Sequence, residues 1–432
     1  MEKILAALED WDDDINYWLP NTSPKIWRRD EGSYLNTLGP YLTKDYIEKG
    51  VIPNSITPEY YNVIYKHKDE LIGKKYLYLI NILNVLYFHE NKNFGFGFVD
   101  HRILDDVRDG NCYIVFIQDT EGMSGMPNRS SQYDFKHIHD WCNKMNIPTN
   151  NVYYICGNLL SKDVAKQQGC DINIVPITVQ EIWVNVNNFP NEAVKFKPTN
   201  DKFLYLNYSR RPRYHRLFFY SSLLKEGIFN DGTNSFNTMN WPIPYGELMQ
   251  SDKDIVSYAE ELYKMSPITI DRENASDDIT LYMRLKDYED TFISIVTETL
   301  YEPDILFNSE KIWKPLIVGH PFMVLGNQYH LKWLKEQGFK TFDKWIDESY
   351  DNEWRMEDRS NKIIQELKKL KKLGLDNLIQ MRLEMEETCV YNKKLMKERT
   401  MDKFYENNLC HHLKPTADTL MKIWSKLNNK LT

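Results

Sequence analysis

The 432-residue sequence has no Cys-x-x-Cys pair: its six cysteines, Cys112, Cys142, Cys156, Cys170, Cys389 and Cys410, stand far apart. A disulfide-stapled scaffold and a zinc ribbon are thereby excluded, and the expectation is a set of reduced thiols in an intracellular chain. Long apolar runs are lacking as well. The stretches 76–88 and 112–117 are too short, or too broken by Asn, to cross a bilayer. The acidic opening, Met1 to Asp14, has no cationic stretch leading into an apolar one, so neither a signal nor a transit peptide is read there, and a cytoplasmic location without a membrane span is expected. No period of 20 to 50 residues repeats, which excludes solenoids and propellers. Positive charge is not in excess: 54 Lys and Arg face 62 Asp and Glu, a net charge of −8. That balance argues against an all-over electrostatic grip on nucleic acid or anionic lipid, while leaving room for a local basic site. Walker, Gly-x-Ser-x-Gly and His-Glu-x-x-His motifs are absent.

What is present is the composition of a folded protein, 42% hydrophobic and 13% aromatic, with length enough for two or three domains. After an irregular, Trp-rich opening, β-branched and aromatic runs at 76–88, 112–118, 152–156 and 172–177 alternate with helical patterns at 133–145 and 161–168. Short apolar strands separated by helices predict a parallel sheet covered on both faces. Residues 187–200, with Pro190 and Pro198, read as a linker. A second alternation follows: strand 203–208, helices 213–225 and 254–263, strand 292–296, a helix after Ser309, strand 322–325 and helix 329–337. From Asp358 the pattern is helical, with Ile363, Ile364, Leu367 and Leu370 at three- and four-residue spacing and Gly374 as a divider. The predicted domains are therefore 1–195, 200–355 and a helical extension 356–432 that packs back on the others.

Two segments carry chemistry. In the first, the strand ending at Asn207 and Tyr208 runs into Ser209, Arg210, Arg211, Pro212, Arg213, His215 and Arg216. Ser209 is a capping type and Pro212 suits a first turn, so four arginines and a histidine gather at a helix N-terminus. Cations oppose the helix dipole there, an arrangement that makes sense if an anion occupies the place, held by backbone N–H groups and guanidinium forks. A solvated basic turn is the competing reading. In the second, Glu298 is followed by Ser309, Glu310 and Lys311, with Ser309 as cap and Ile312, Trp313, Leu316 and Ile317 as a buried stripe. A carboxylate and an ammonium at a helix start suit a sugar hydroxyl pair and a phosphate; a dipole-favoured Glu beside a solvated Lys is the alternative. Pro315 predicts a shortened or kinked helix.

Together these segments resemble glycosyltransferases of the α-1,3-fucosyltransferase kind and, more closely, a group of phage and bacterial glycosyltransferase-like proteins. Asn207 with Arg216-Leu-Phe-Phe219 is similar to the family's strand–turn–Arg–aromatic pattern, and Val296-Thr-Glu298-Thr followed by Ser309-Glu310-Lys311 is similar to its acidic and Thr-Glu-Lys motifs. Glu298 and Glu310 stand twelve residues apart, wider than in the family. The stretches 338–343 and 347–351 resemble the phage group's ending, so the likeness covers roughly 203–351. It implies an α/β protein of the GT-B type, two Rossmann-like domains facing across a cleft with a helical C-terminal tail. It further implies a donor diphosphate held by Arg216 and Lys311, with Arg210, Arg211 and Arg213 nearby, ribose hydroxyls on Glu310, and Glu298 near the donor sugar. The donor would be a GDP- or UDP-sugar, no cofactor would be permanently bound, and the acceptor would be a carbohydrate, protein or other hydroxyl, with a modified DNA base left open.

An inverting transfer needs a carboxylate to take the acceptor proton. Glu121, after the strand 112–118 and before Gly122, is the first candidate and Asp119 its rival, with Asp100-His101 and His89-Glu90 behind them. Metal signals are poor: His137, His139 and Cys142 fall on different helix faces, His411-His412 is uninformative, and Asp252-Lys-Asp254 reads better as a helix start. No metal is expected, because Arg, Lys and helix dipoles can neutralise a leaving diphosphate. The competing class is a non-catalytic glycan- or nucleotide-binding protein with the same fold.

Overall fold

The computed structural model describes residues 4–8, 63–66, 70–81, 99–118, 134–178, 192–209, 212–238, 242–268, 284–302, 304–401 and 414–429. The fold is mixed α/β, in two compact units: 1–179 with 403–432, and 180–402.

The first unit is built on a six-stranded, all-parallel sheet of β1 (Ile4–Leu8), β2 (Val63–Lys66), β3 (Tyr76–Asn81), β4 (Cys112–Gln118), β5 (Val152–Cys156) and β6 (Asn173–Pro176), in the order β2-β1-β3-β4-β5-β6. Tyr76 lies opposite Cys112, Ile114 opposite Val152 and Tyr153 opposite Asn173. β4 and β5 are apolar without alternation because both of their faces are covered. Helix α1 (His101–Arg108) is capped by Asp100, which accepts from Arg102 N at 2.9 Å, and buries Ile103, Leu104 and Val107. Asp106 on the same helix accepts from Gly73 N and from the Tyr76 hydroxyl at 2.9 Å, tying the turn before β3 to α1. Helices α2 (Asp134–Lys144) and α3 (Ser161–Gln167) follow β4 and β5. The five described cysteines are free and buried.

The second unit holds a four-stranded parallel sheet of β7 (Tyr205–Tyr208), β8 (Thr233–Ser235), β9 (Ile293–Thr297) and β10 (Phe322–Leu325), in the order β10-β9-β7-β8. Its helices are α4 (Tyr214–Lys225), α5 (Tyr245–Ser251), α6 (Ile255–Met265), α7 (Leu285–Asp290), α8 (Glu310–Val318), α9 (His330–Glu336), α10 (Met356–Leu373), α11 (Leu375–Glu384) and α12 (Glu386–Met401). The chain goes from β7 to β8 on one side and then returns to β9 on the other, so the strand order reverses between β7 and β9. In open α/β sheets that reversal opens a crevice at the carboxyl ends of the two strands.

The last helix, α13 (Lys414–Asn429), belongs to the first unit, burying Leu420, Ile423, Trp424 and Leu427 at helical spacing. Lys75 Nζ donates to the carbonyls of Leu427 at 2.7 Å and Asn428 at 3.3 Å, a cation placed where the helix dipole favours it. Among the described residues no helix is long and apolar enough to cross a membrane.

The sequence reading missed β1 and β2, which lie in the segment expected to be irregular, and also β8 and α1. β1 and β2 are parallel neighbours far apart in sequence, and pairing of that kind leaves no local turn signature.

Candidate functional site

The reversal between β7 and β9 is lined with polar side chains buried against the apolar sheet. Asn207 is the last residue but one of β7, and its Oδ1 accepts from the Thr297 hydroxyl at 3.3 Å; Thr297 in turn shares a 2.6 Å hydrogen bond with Ser209. Ser209 therefore does not cap α4, contrary to the sequence expectation: Arg213 occupies the N-cap position, extended and without a side-chain cap bond. Ser209 stands four residues before that N-cap, too far along the chain to bond the first helical turn.

Arg216, in the first turn of α4, is turned inward and is 3% exposed. Its Nη2 donates to the carbonyls of Thr297 at 3.2 Å and Glu298 at 2.9 Å, closing the end of β9. Burial, and next the charge of Arg213, lower its pKa to about 10. A solvated basic turn does not describe this residue. His215 beside it donates from Nε2 to the Glu298 carbonyl at 2.8 Å and packs its ring 4.6 Å from that of Tyr301. Burial and the cations Arg216, Arg213 and Lys311 hold His215 well below the ordinary histidine range, so it is neutral.

Glu298 is fully buried directly after β9. Its carboxylate accepts from Thr299 N at 3.1 Å, Ser309 N at 3.2 Å and the Ser309 hydroxyl. Burial raises its pKa against the opposing pull of Lys311 and Ser309. Ser309 caps α8 as the sequence implies, accepting from Lys311 N at 3.4 Å, so one hydroxyl joins the buried carboxylate to the helix N-terminus. Lys311 Nζ reaches Glu310 at 2.7 Å, Thr299 Oγ1 at 3.1 Å and Ser309 Oγ at 3.3 Å. Burial would raise the Glu310 carboxyl, but Lys311 and Lys314 outweigh it and hold the pKa at about 2. Helix α8 runs through Pro315 to a left-handed Gly319, where a Cβ would meet Ala193 at 2.6 Å. Pro315 lacks the N–H that would bond the Lys311 carbonyl, and the helix runs on past it with that bond missing.

The structure thus brings Arg213, Arg216, Glu298, Glu310 and Lys311 of the sequence-predicted set to one sheet end. Arg210, Arg211, Asp119, Glu121 and His89-Glu90 lie outside the described residues, as does His411-His412. Asp100 is occupied as the cap of α1, and His139 pairs with Asp171 at 2.9 Å. Asp252 ends α5 and accepts from Lys225, and Asp254 precedes α6. Among the described residues no group of His, Cys, Asp and Glu is placed to hold a metal ion.

Sequence reasoning missed two other residues near this end. His330, fully buried, opens α9 with both ring nitrogens unpartnered. Gly326 separates it from Glu298, since a Cβ there would lie 3.1 Å from the Glu298 side chain and 3.3 Å from His330 Nδ1. Arg359 of α10 donates to the Gly326 carbonyl and to that of Glu353, and its charge adds to burial in lowering His330 to about 3. Asn308, next to Ser309, is 3% exposed with neither amide atom bonded, and the Asn207 amide nitrogen is also unpartnered. Buried polar atoms without partners are costly, and these residues are among those, in both units, where the chain leaves such atoms. No motif announces Asn308 or His330; only the folded neighbourhood gives them meaning. A search of protein-family models finds no match to this chain, and neither does a search of curated proteins.

Proposed function

We propose that this protein is an inverting, metal-independent glycosyltransferase that moves a sugar from a nucleoside-diphosphate sugar to an acceptor hydroxyl, with a fold of the GT-B type. The observation that carries the reading is the position of the cationic cluster. Arg213 and Lys311 stand at the first turns of α4 and α8, at the carboxyl ends of the strands between which the sheet order reverses. Helix N-termini and cations at such a reversal suit a diphosphate. In this reading Lys311 and Arg213 take the phosphates, and Glu310, ionised at neutral pH, accepts from the ribose hydroxyls. Arg216 and Glu298 act one layer behind: Arg216 fixes the β9 carbonyls, and Glu298 fixes Ser309 and with it the start of α8. As the bond from the anomeric carbon to the diphosphate breaks, negative charge grows on the leaving oxygen, where Lys311 and the helix N-terminus stabilise it. The acceptor proton passes to a carboxylate of the first unit, for which Glu121 and Asp119 are the candidates.

A second reading is supported by Glu298. The one fully buried carboxylate among the described site residues is committed to Ser309 and Thr299, which fits a nucleotide-binding protein without transfer. Donor turnover separates the two. Transfer or donor hydrolysis that Glu121→Gln or Asp119→Asn lowers by about 100-fold or more supports the enzyme; nucleotide binding without turnover of any donor supports the binding protein.

A further inference from the structure

Gly326 stands directly after β10, and its backbone does not call for a glycine: it lies outside the left-handed region, so an L-residue could adopt it. Space is what excludes a side chain there. A Cβ would meet Cβ and Cγ of Glu298 at 3.1 and 3.2 Å and His330 Nδ1 at 3.3 Å, and both neighbours are fully buried, so neither has solvent to swing into. Glu298 is held at its two ends. Its backbone N–H donates to the Leu325 carbonyl at 2.9 Å, beside Gly326, while its carboxylate accepts from Thr299 N, Ser309 N and the Ser309 hydroxyl. Ser309 in turn accepts from Lys311 N and, at 3.3 Å, from Lys311 Nζ. A group that presses on the middle of the Glu298 side chain therefore moves the cap of α8 and the lysine bonded to it.

Helix α10 holds the same glycine by its carbonyl. Arg359, 1% exposed, donates from Nη1 to the Gly326 carbonyl and from Nη2 to that of Glu353, so one planar guanidinium joins the end of β10 to the chain entering α10. Two residues before it, Glu357 accepts from the Tyr214 hydroxyl at 2.9 Å, and Tyr214 is the first residue of α4, next to Arg213. The opening of α10 thus reaches both helix starts of the cationic cluster: α4 directly, and α8 through Gly326, Glu298 and Ser309. Two helix starts bind one diphosphate tightly only when their spacing is fixed beforehand, because each group that must be ordered on binding costs affinity.

We propose that the opening of α10 sets the geometry of this sheet end, with Arg359 and Gly326 as positioning residues for Ser309 and Lys311 and Glu357 for the start of α4; its consequence for binding rests on the donor site proposed above. Hydrogen exchange of the full chain, read by mass spectrometry over 305–314, tests this without any nucleotide. Gly326→Ala should speed exchange at the Ser309 and Lys311 amides by at least about tenfold and leave β7 unchanged; Arg359→Lys, which keeps the charge but cannot bridge two carbonyls, should do the same. Tyr214→Phe should speed exchange at the start of α4 alone. In calorimetric titration with GDP and UDP, Gly326→Ala should weaken binding at least about fivefold, but less than about twofold in a Ser309→Ala background, where the route to Lys311 is already cut. Exchange that stays unchanged over 305–314, or rises equally in every strand of the second unit, overturns the proposal, as does a loss of affinity equal in both backgrounds. Exchange unmoved by Tyr214→Phe overturns the part given to Glu357. Should the selective exchange appear while no nucleotide binds the wild type, the positioning stands and the donor reading falls.

Discussion

The two units use one architecture to different ends, and the difference is clearest in their buried polar groups. Both are parallel sheets, and both have a strand-order reversal, between β1 and β3 in the first and between β7 and β9 in the second. In the first unit several buried polar side chains act as clamps, while the Tyr78 hydroxyl and the Trp424 ring nitrogen are buried without partners. Asp106 holds Gly73 and Tyr76, Asn151 donates to the Val107 carbonyl at 2.8 Å, and Asn158 and Ser161 close the turn after β5. In the second, at the reversal itself, charged groups are buried together and Asn207, His215, Asn308 and His330 keep unpartnered polar atoms. A fold alone does not place a function, and the difference between the units lies in the charged groups buried together at the second reversal.

Removing Arg216 should damage the second unit most. Arg216→Ala takes a donor from the Thr297 and Glu298 carbonyls, of which the second keeps His215, and opens a cavity, at a cost of about 3 to 5 kcal/mol, read as a drop in the urea midpoint. An exposed-site cost below about 0.5 kcal/mol would show that the arginine is solvated after all. Asp106→Ala in the first unit should cost about 2 kcal/mol by stranding Gly73 N and the Tyr76 hydroxyl, while leaving nucleotide binding unchanged. If binding falls as well, polar groups in the two units do not differ in use as stated.

Acid sharpens the contrast. His215, His320 and His330 are buried neutral, the last two at about 3, so the unfolded chain binds their protons first. Their contribution is present above the ordinary histidine value of 6.5 and is lost as pH falls toward 3. Glu310 adds in the same direction lower down, between 4.5 and about 2, whereas Glu298, raised by burial, works weakly against them. Melting temperature should fall steadily from pH 6.5 downward, and His330→Gln should flatten that slope. A slope unchanged by the substitution would mean that His330 titrates normally. The smallest effect is expected at Asn308: since its amide has no protein partner, Asn308→Ala should change stability by less than about 0.5 kcal/mol yet weaken ligand binding.

Much of the second unit was legible in the sequence because its signals are local. The apolar run of β10 and the Ser309 cap with its buried stripe are decided within a few residues of chain. The strands β4 and β5 were legible for the same reason. What the sequence hid is what depends on distant partners. Arg216 looked like a phosphate ligand and proves to bond the β9 carbonyls, because only the fold brings residues some eighty positions apart into contact. Ser209 looked like a cap and bonds Thr297 instead. Asn308 and His330 carry no pattern at all, and their interest lies wholly in being buried without partners beside Glu298.

The central claim is that the end of the second sheet receives a nucleoside diphosphate. Calorimetric titration of the full chain with GDP, UDP, CMP and dTDP, repeated on Lys311→Ala, tests it most directly. Binding of one diphosphate, weakened at least about 30-fold by the substitution with the melting temperature retained, is the predicted result. Absence of binding by every nucleotide, or binding that Lys311→Ala leaves intact, would contradict it.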